Sequence, residues 1–243
     1  MDIEKLIHVN SPYEGFVSEA SDLQGWGGHK EFFGMMIDMI RPQLIIEVGT
    51  WKGKSAIAMA DLLESIELKD KLFLEALEKK TVDDTKIVCV DTWLGATEMW
   101  DKKDDAKRYL SLKLKNGYPQ LYYTFLSNVM NALRENRIIP FPQTSANAAR
   151  HFAKNNVKAG MIYIDASHEY DDVKQDLNSY FPLLEKGGVM IGDDYCKYWH
   201  GVIEAVDEFA EQKNLRLYTR QYPNAPGEAP SDYCVLCRGV VPL

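Results

Sequence analysis

"LIIEVGTWKGKSAIAMA", residues 44–60, decides how the rest of the chain is read. An apolar, β-branched run ends at Gly49, a turn follows that contains Gly53, and small and apolar residues then continue at helical spacing. Strand, glycine turn and helix together open a βαβ unit. The turn reads Glu47-x-Gly49-x-x-x-Gly53, which is not the G-x-G-x-x-G dinucleotide fingerprint. It is not a phosphate loop either. Gly53-Lys54-Ser55 supplies the G-K-[ST] end, but Gly49 stands one position too close. ATP is therefore discounted.

Three more runs of the same kind lie downstream: "KIVCVD" at 86–91, "MIYID" at 161–165 and "GVMIGDD" at 188–194, with a fainter "RIIPFPQTS" at 137–145. None alternates apolar with polar residues, as expected of parallel strands buried on both faces. Helical patterns separate them. Val173, Leu177, Tyr180 and Leu184 mark one helix face, and Val202, Ala205, Val206 and Phe209 mark another. Gly187-Gly188 stops the first of these helices. Two late runs, "LRLYTRQY" (215–222) and "YCVLCRGVV" (233–241), flank the turn-rich "PNAPGEAPSD" (223–232) and predict an antiparallel pair that closes the sheet. The alternation implies an α/β fold with an open, doubly wound sheet, in one domain over residues 1–243. Ligands bind such sheets at the carboxyl ends of the strands.

Some segments exceed the minimal alternation. Residues 1–40 predict an N-terminal helical cap, and residues 64–85 lengthen the first crossover. Residues 94–125 hang over the ligand edge as a lid or acceptor wall. Within them "YPQLYYTF" (118–125) reads as the packed face of a helix, with pocket lining as the alternative.

Composition removes several function classes. A net charge of −8 leaves no basic stripe for nucleic acid. No apolar run approaches the length of a membrane span, and "MDIEKLIHVN" lacks a signal pattern, so a cytoplasmic location is expected. A monomer and a homo-oligomer both fit. Of the cysteines, Cys89, Cys196, Cys234 and Cys237, the last two form a C-x-x-C, but in a strand side chains three apart point to opposite faces. They read as ordinary strand residues.

The remaining signal is a set of acids at strand ends: Glu47, Asp91, Asp165, Asp193 and Asp194. Glu47 and the turn glycines suit a ligand with an ammonium and no pyrophosphate, such as S-adenosylmethionine, and Asp91 is placed for ribose hydroxyls. Asp165, Asp193 and Asp194 end adjacent strands, about 4.8 Å apart, and would repel unless a cation neutralises them. Oxygen ligands select a hard ion such as Mg²⁺. The plainer reading makes some of these acids helix caps.

The motifs "IEVGTWKGKSA", "VDTWLG", "IDASHEYDDVKQDL" and "GGVMIGDDY" with "GVIEAVDEFA" resemble class I S-adenosylmethionine-dependent methyltransferases over about residues 40–240. The likeness is greatest to metal-dependent O-methyltransferases that modify sugar hydroxyls. It implies a seven-stranded Rossmann-like sheet of order 3-2-1-4-5-7-6, with strand 7 antiparallel. It also implies cofactor contacts from Glu47, Gly49, Thr50, Gly53, Ser55, Asp91, Thr92, Trp93, Thr144, Ser145 and Asp165, Mg²⁺ held by Asp165, Asp193 and Asp194, and a small hydroxylated acceptor. Two departures stand out. Trp51 occupies a position where many relatives have Gly. Ser167 stands where the "IDGD" relatives have a second acid, which passes proton transfer to His168, beside Asp165. His200 reads as surface or acceptor wall, and His8, His29 and His151 carry no pattern. A metal-free methyltransferase, one acting on nitrogen, and a non-catalytic nucleoside-binding protein are the alternatives.

Overall fold

The computed structural model describes residues 2–24, 30–72, 80–103, 106–221 and 232–237. Strands β1 (Leu44–Val48), β2 (Lys86–Asp91), β3 (Ile138–Pro142), β4 (Ala159–Ile164), β5 (Leu184–Gly192), β6 (Leu217–Gln221) and β7 (Asp232–Cys237) form one sheet in the order β3-β2-β1-β4-β5-β7-β6. The first five pair in parallel, and β7 runs antiparallel to both β5 and β6. The helices are α1 (Ile3–Ile7), α2 (Lys30–Ile40), α3 (Lys54–Leu72), α4 (Ala106–Ser111), α5 (Leu121–Asn131), α6 (Ser145–Lys154), α7 (Tyr170–Tyr180) and α8 (His200–Gln212).

The apolar runs lack alternation because both faces of the sheet are covered. Every residue of β1 and β4 is buried. Period-2 geometry still sorts them. Ile45, Ile87, Met161 and Val189 are register neighbours and join Phe33 and Met36 of α2, Met59 and Leu63 of α3, and Phe125 of α5. Ile46, Val88, Ile162 and Met190, one residue further along each strand, join Phe152, Leu177, Val206 and Phe209 of α6, α7 and α8. Two cores thus share one sheet.

The outer edge of β3 is closed by chemistry legible in hindsight. Ile138, Pro140 and Pro142 turn their backbone polar groups away from β2, and two of the three lack an N–H. Tyr13 donates its hydroxyl to the Ile138 carbonyl at 2.9 Å, and His8 Nε2 donates to that of Pro140 at 2.6 Å. The N-terminal segment therefore occupies an edge that would otherwise offer itself to another strand.

Three element boundaries differ from the sequence reading. The helix ending with Tyr180 is followed by a 3₁₀ turn at Phe181–Leu183, so Leu184 begins β5 rather than completing a helix face, because Pro182 denies the helix its next N–H. α2 is a core helix, not part of a cap, with Phe33, Met36 and Ile37 fully buried. Residues 121–125, counted within the 94–125 insertion, open α5, and their Leu121 and Phe125 are core, in keeping with the packed-helix reading of that run. α3 extends the first crossover as far as Leu72, and residues 73–79 lie outside the described residues, as does most of the "PNAPGEAPSD" turn.

Candidate active site

The register explains why strand-end acids meet. Cys89, Glu47, Tyr163 and Ile191 are neighbours across β2, β1, β4 and β5. Two residues further along, on the same face, stand Asp91, Gly49, Asp165 and Asp193. The ladder continues past the strands to hold them: Gly49 N donates to Val90 O at 2.9 Å, Asp165 N to Val48 O at 2.8 Å and Asp193 N to Ile164 O at 3.1 Å. This row lies along the carboxyl edge, and Gly49 sits in its middle. A Cβ on Gly49 would fall 2.0 Å from the Asp165 carbonyl oxygen, and its φ is +83°. At Gly53, with φ +85°, a Cβ would meet the Phe125 ring at 2.9 Å. Both glycines are demanded by the protein's own backbone and core, whatever ligand approaches the turn.

On the β1–β2 side the acids are fully engaged. Glu47 is completely buried and faces inward. It accepts hydrogen bonds from the Ser55 hydroxyl, from Thr50 Oγ1 at 3.1 Å and from the Cys89 thiol at 3.4 Å. Burial pushes its carboxyl up to about 7, against the pull of those three donors. Glu47 and Ser55 therefore brace the turn from beneath instead of presenting charge at its surface. Asp91 accepts from Thr50 N and Trp51 N, each at 2.9 Å, and from Trp93 N at 2.7 Å. Burial raises its carboxyl, with these backbone donors opposing. Trp51 adopts φ +52°, the conformation a glycine would take, and Trp93 Nε1 donates to its carbonyl at 2.8 Å. The left-handed turn is thus kept without the glycine, at the cost of strain in a bulky residue. Thr92 is exposed and accepts from Leu94 N at 3.2 Å. Thr144 caps α6 by accepting from Asn147 N at 3.3 Å. Ser145 receives the Tyr180 hydroxyl on its carbonyl at 2.9 Å and lies against Asp176, a buried carboxyl pushed up to about 6 by desolvation.

On the β4–β5 side carboxylates face one another. Tyr163, fully buried and edge-on to Phe33, places its hydroxyl 3.0 Å from Asp165 Oδ2 and 2.8 Å from Asp193 Oδ2. One phenolic proton serves two acids. Desolvation, then the charges of Asp193 and Asp194, holds the Asp165 carboxyl well above the usual range. Asp194 adopts φ +57°, which turns it out of the row, and its Oδ2 lies 2.9 Å from His168 Nε2. The His168 ring stacks on Trp199 at 3.9 Å and 16°. Ligand atoms of Asp165, His168 and Asp194 lie within 4.8 Å of one another. Ser167 turns away to donate to Asp172 at 2.7 Å, and His200 is exposed at the start of α8.

The donor set suits the divalent ion that the sequence resemblance implies. Anionic oxygens and one imidazole are sound ligands for a dication, and their mutual repulsion is what a cation relieves. The residues that gather are not quite those anticipated, since His168 joins Asp165 and Asp194, while Asp193 is engaged by Tyr163.

Sequence reading missed Tyr163, Trp199 and Lys52. Tyr163 is an apolar-run residue whose hydroxyl gains meaning only through register. Lys52 is 1% exposed, and its Nζ donates to Asp22 Oδ2 at 2.9 Å and to Gln24 Oε1 at 3.1 Å, which ties the N-terminal segment to the glycine turn.

A parallel sheet with a braced glycine turn after its first strand and acids along its carboxyl edge agrees with the class I S-adenosylmethionine-dependent methyltransferases that the motifs resemble. The chain belongs to the family described as "Methyltransferase domain", whose model matches residues 46–195, more than half of its length. Similar solved structures include the O-methyltransferase from Bacillus cereus in complex with SAH, at 14% identity and a TM-score of 0.56, covering 90% of this chain and 84% of that one. The O-methyltransferase TomG from Streptomyces achromogenes, in complex with SAM and involved in tomaymycin synthesis, aligns at 13% identity and a TM-score of 0.58, covering 90% and 83%. At these identities the likeness is one of fold. An uncharacterized protein of Acanthamoeba polyphaga mimivirus is 32% identical over 81 residues, which span 30% of this chain and only 37% of the viral protein.

Proposed function

We propose that the protein transfers the methyl group of S-adenosylmethionine to a hydroxyl of a small, sugar-like acceptor, assisted by a divalent metal. The observation that carries this reading is the row of Asp91, Gly49, Asp165 and Asp193 along one edge, which we read as a cofactor half beside an acceptor half. Family membership and the SAM and SAH bound to structural neighbours support it. In the cofactor half, Gly49, Thr50 and Gly53 bound the methionine end, Asp91 with Thr92 and Trp93 the ribose, and Thr144-Ser145 the adenine side. Glu47 and Ser55 keep the turn in shape. In the acceptor half, a hydroxyl placed among Asp165, His168 and Asp194 faces side chains whose oxygens and nitrogen can accept its proton. The oxygen then bonds the methyl carbon as the carbon–sulfur bond breaks, and the sulfonium leaves as a neutral thioether. A bound dication would lower the hydroxyl's pKa and hold it in line.

A small acceptor follows from the confined acid cluster and from a surface with net charge −8, which disfavours nucleic acid. No helix among the described residues is long and apolar enough to cross a membrane. The buried free thiols Cys89 and Cys196 suit the reducing cytoplasm included in this proposal.

Calorimetry with SAM and with SAH tests the core of the reading, and absence of heat with both would end it. Transfer of labelled methyl groups from SAM into a small-molecule extract, lost with EDTA and restored by divalent metal, tests the reaction. Cofactor binding with no transfer into any fraction would favour a nucleoside-binding protein.

A further inference from the structure

Three acids from two adjacent strands look like an all-oxygen cage in the sequence, yet the fold divides them. Asp165 and Asp193 share a row, and between them rises the Tyr163 hydroxyl, 3.0 Å and 2.8 Å from their Oδ2 atoms. Tyr163 cannot move aside. It is fully buried, paired in register with Glu47 and Ile191, and packed edge-on to Phe33. Asp193 is further fixed from the other side, where its Oδ1 accepts from Asp194 N at 2.8 Å. Each oxygen of Asp193 thus accepts a hydrogen bond within the protein, and the carboxylate does not gather with Asp165, His168 and Asp194, whose ligand atoms lie within 4.8 Å of one another. Asp194, by contrast, leaves the row through its positive φ and reaches His168. The His168 ring is fixed by its parallel stack on Trp199. Nε2 and Oδ2, 2.9 Å apart, share a hydrogen bond that an ion bound by both residues would replace.

From this we infer that the ion of the acceptor half is held by Asp165, His168 and Asp194, with Asp193 kept out by Tyr163, and that it is a first-row transition dication such as Mn²⁺ or Co²⁺ rather than Mg²⁺. The inference rests on the metal-assisted reading above and sharpens it. Mg²⁺ is a hard ion that favours oxygen and sheds water reluctantly, whereas an imidazole nitrogen adds affinity for transition ions along the Irving–Williams series. Replacing one carboxylate of a cage by an imidazole also lowers its negative charge by one, which weakens Mg²⁺ more than ions that bond to nitrogen. Tyr163 is in this scheme a positioning residue. It touches no ion and acts by holding Asp193 away. His168 serves in this scheme by ligation and not as the proton acceptor.

The test is a set of titrations on EDTA-treated full-length protein: MnCl₂ followed by electron paramagnetic resonance, CoCl₂ by visible absorption and MgCl₂ by calorimetry. Mn²⁺ is expected to bind at least about tenfold more tightly than Mg²⁺. Nitrogen-14 modulation of the Mn²⁺ echo should report the imidazole in the unaltered protein, so this reading depends on no variant folding. His168→Asn should remove most of the Mn²⁺ preference. Asp193→Asn should keep Mn²⁺ affinity within about threefold, whereas Asp194→Asn should weaken it by about tenfold or more. Tyr163→Phe releases Asp193 and should narrow the Mn²⁺/Mg²⁺ ratio. Equal affinity for Mg²⁺ and Mn²⁺, absence of nitrogen modulation, equal losses for Asp193→Asn and Asp194→Asn, or no binding of any of the three ions would each overturn the assignment. SAH binding measured on the same ion-free samples separates the failures. If SAH binds, the ion assignment alone has fallen. If it does not, the methyltransferase reading falls as well.

Discussion

The two halves of the carboxyl edge hold the same kind of residue in opposite conditions. On the β1–β2 side, Glu47 faces two hydroxyls and a thiol, and Asp91 faces three backbone N–H groups. On the β4–β5 side, Asp165 and Asp193 share one tyrosine hydroxyl, and Asp194 has the edge of an imidazole. Buried acids with donors hold a loop in shape. Partly buried acids crowded by other acids keep an unmet need for a proton or a cation. In the first half the acids brace a turn, and in the second they crowd one another.

The comparison is easiest to break at its seam. Gly49→Ala would drive a methyl into the Asp165 carbonyl at φ +83° and should cost more than about 3 kcal/mol in urea unfolding. A near-neutral variant would mean that the halves are not locked together there. The next largest effect concerns pH. Burial raises Glu47 from 4.5 in the unfolded chain to about 7 in the fold, so folding takes up a proton between those values. Stability should fall as pH rises from 4.5 through 7, by on the order of 3 kcal/mol from this group alone. Glu47→Gln should flatten that slope, and an unchanged slope in pH-dependent melts would show that Glu47 stays ionised.

A smaller and more discriminating pair compares the halves directly at pH 7. Asp91→Asn points an amide N–H₂ at backbone donors and should destabilise by about 1–3 kcal/mol. Asp165→Asn relieves crowding by Asp193 and Asp194 and should stabilise the metal-free protein by about 1 kcal/mol while weakening metal binding. Shifts of the same sign in thermal melts would erase the distinction. Thr144→Ala, beyond the row, removes only the α6 cap and should cost about 1 kcal/mol with no change in metal affinity. Altered Mn²⁺ binding in that variant would place α6 within the acceptor half.

Much of this was legible in the chain. Unalternating runs such as "LIIEV" and "MIYI" marked strands covered on both faces, and the glycine turn after the first marked a ligand edge. Legibility failed where partners come from distant residues. Glu47 read as a charge offered to a ligand's ammonium because nothing local reveals that Ser55 and Cys89 converge on it. Phe125 read as the packed face of a helix, but its core contact, Gly53, lies 72 positions away and was not legible. Trp51 hid a glycine-like turn because Asp91 and Trp93, which hold it, come from β2 and the residues after it.

The sequence by itself determined the alternation of strands and helices, the edge at which the strands end and the acids that reach it, because periodicity and strand ends are local properties of the chain. Tertiary structure alone decided what each acid does. Register set Asp165 and Asp193 around the Tyr163 hydroxyl and turned Asp194 to His168. A carboxylate's proton affinity and its choice of partner depend on neighbours within a few ångströms, and only the folded sheet brings those neighbours together.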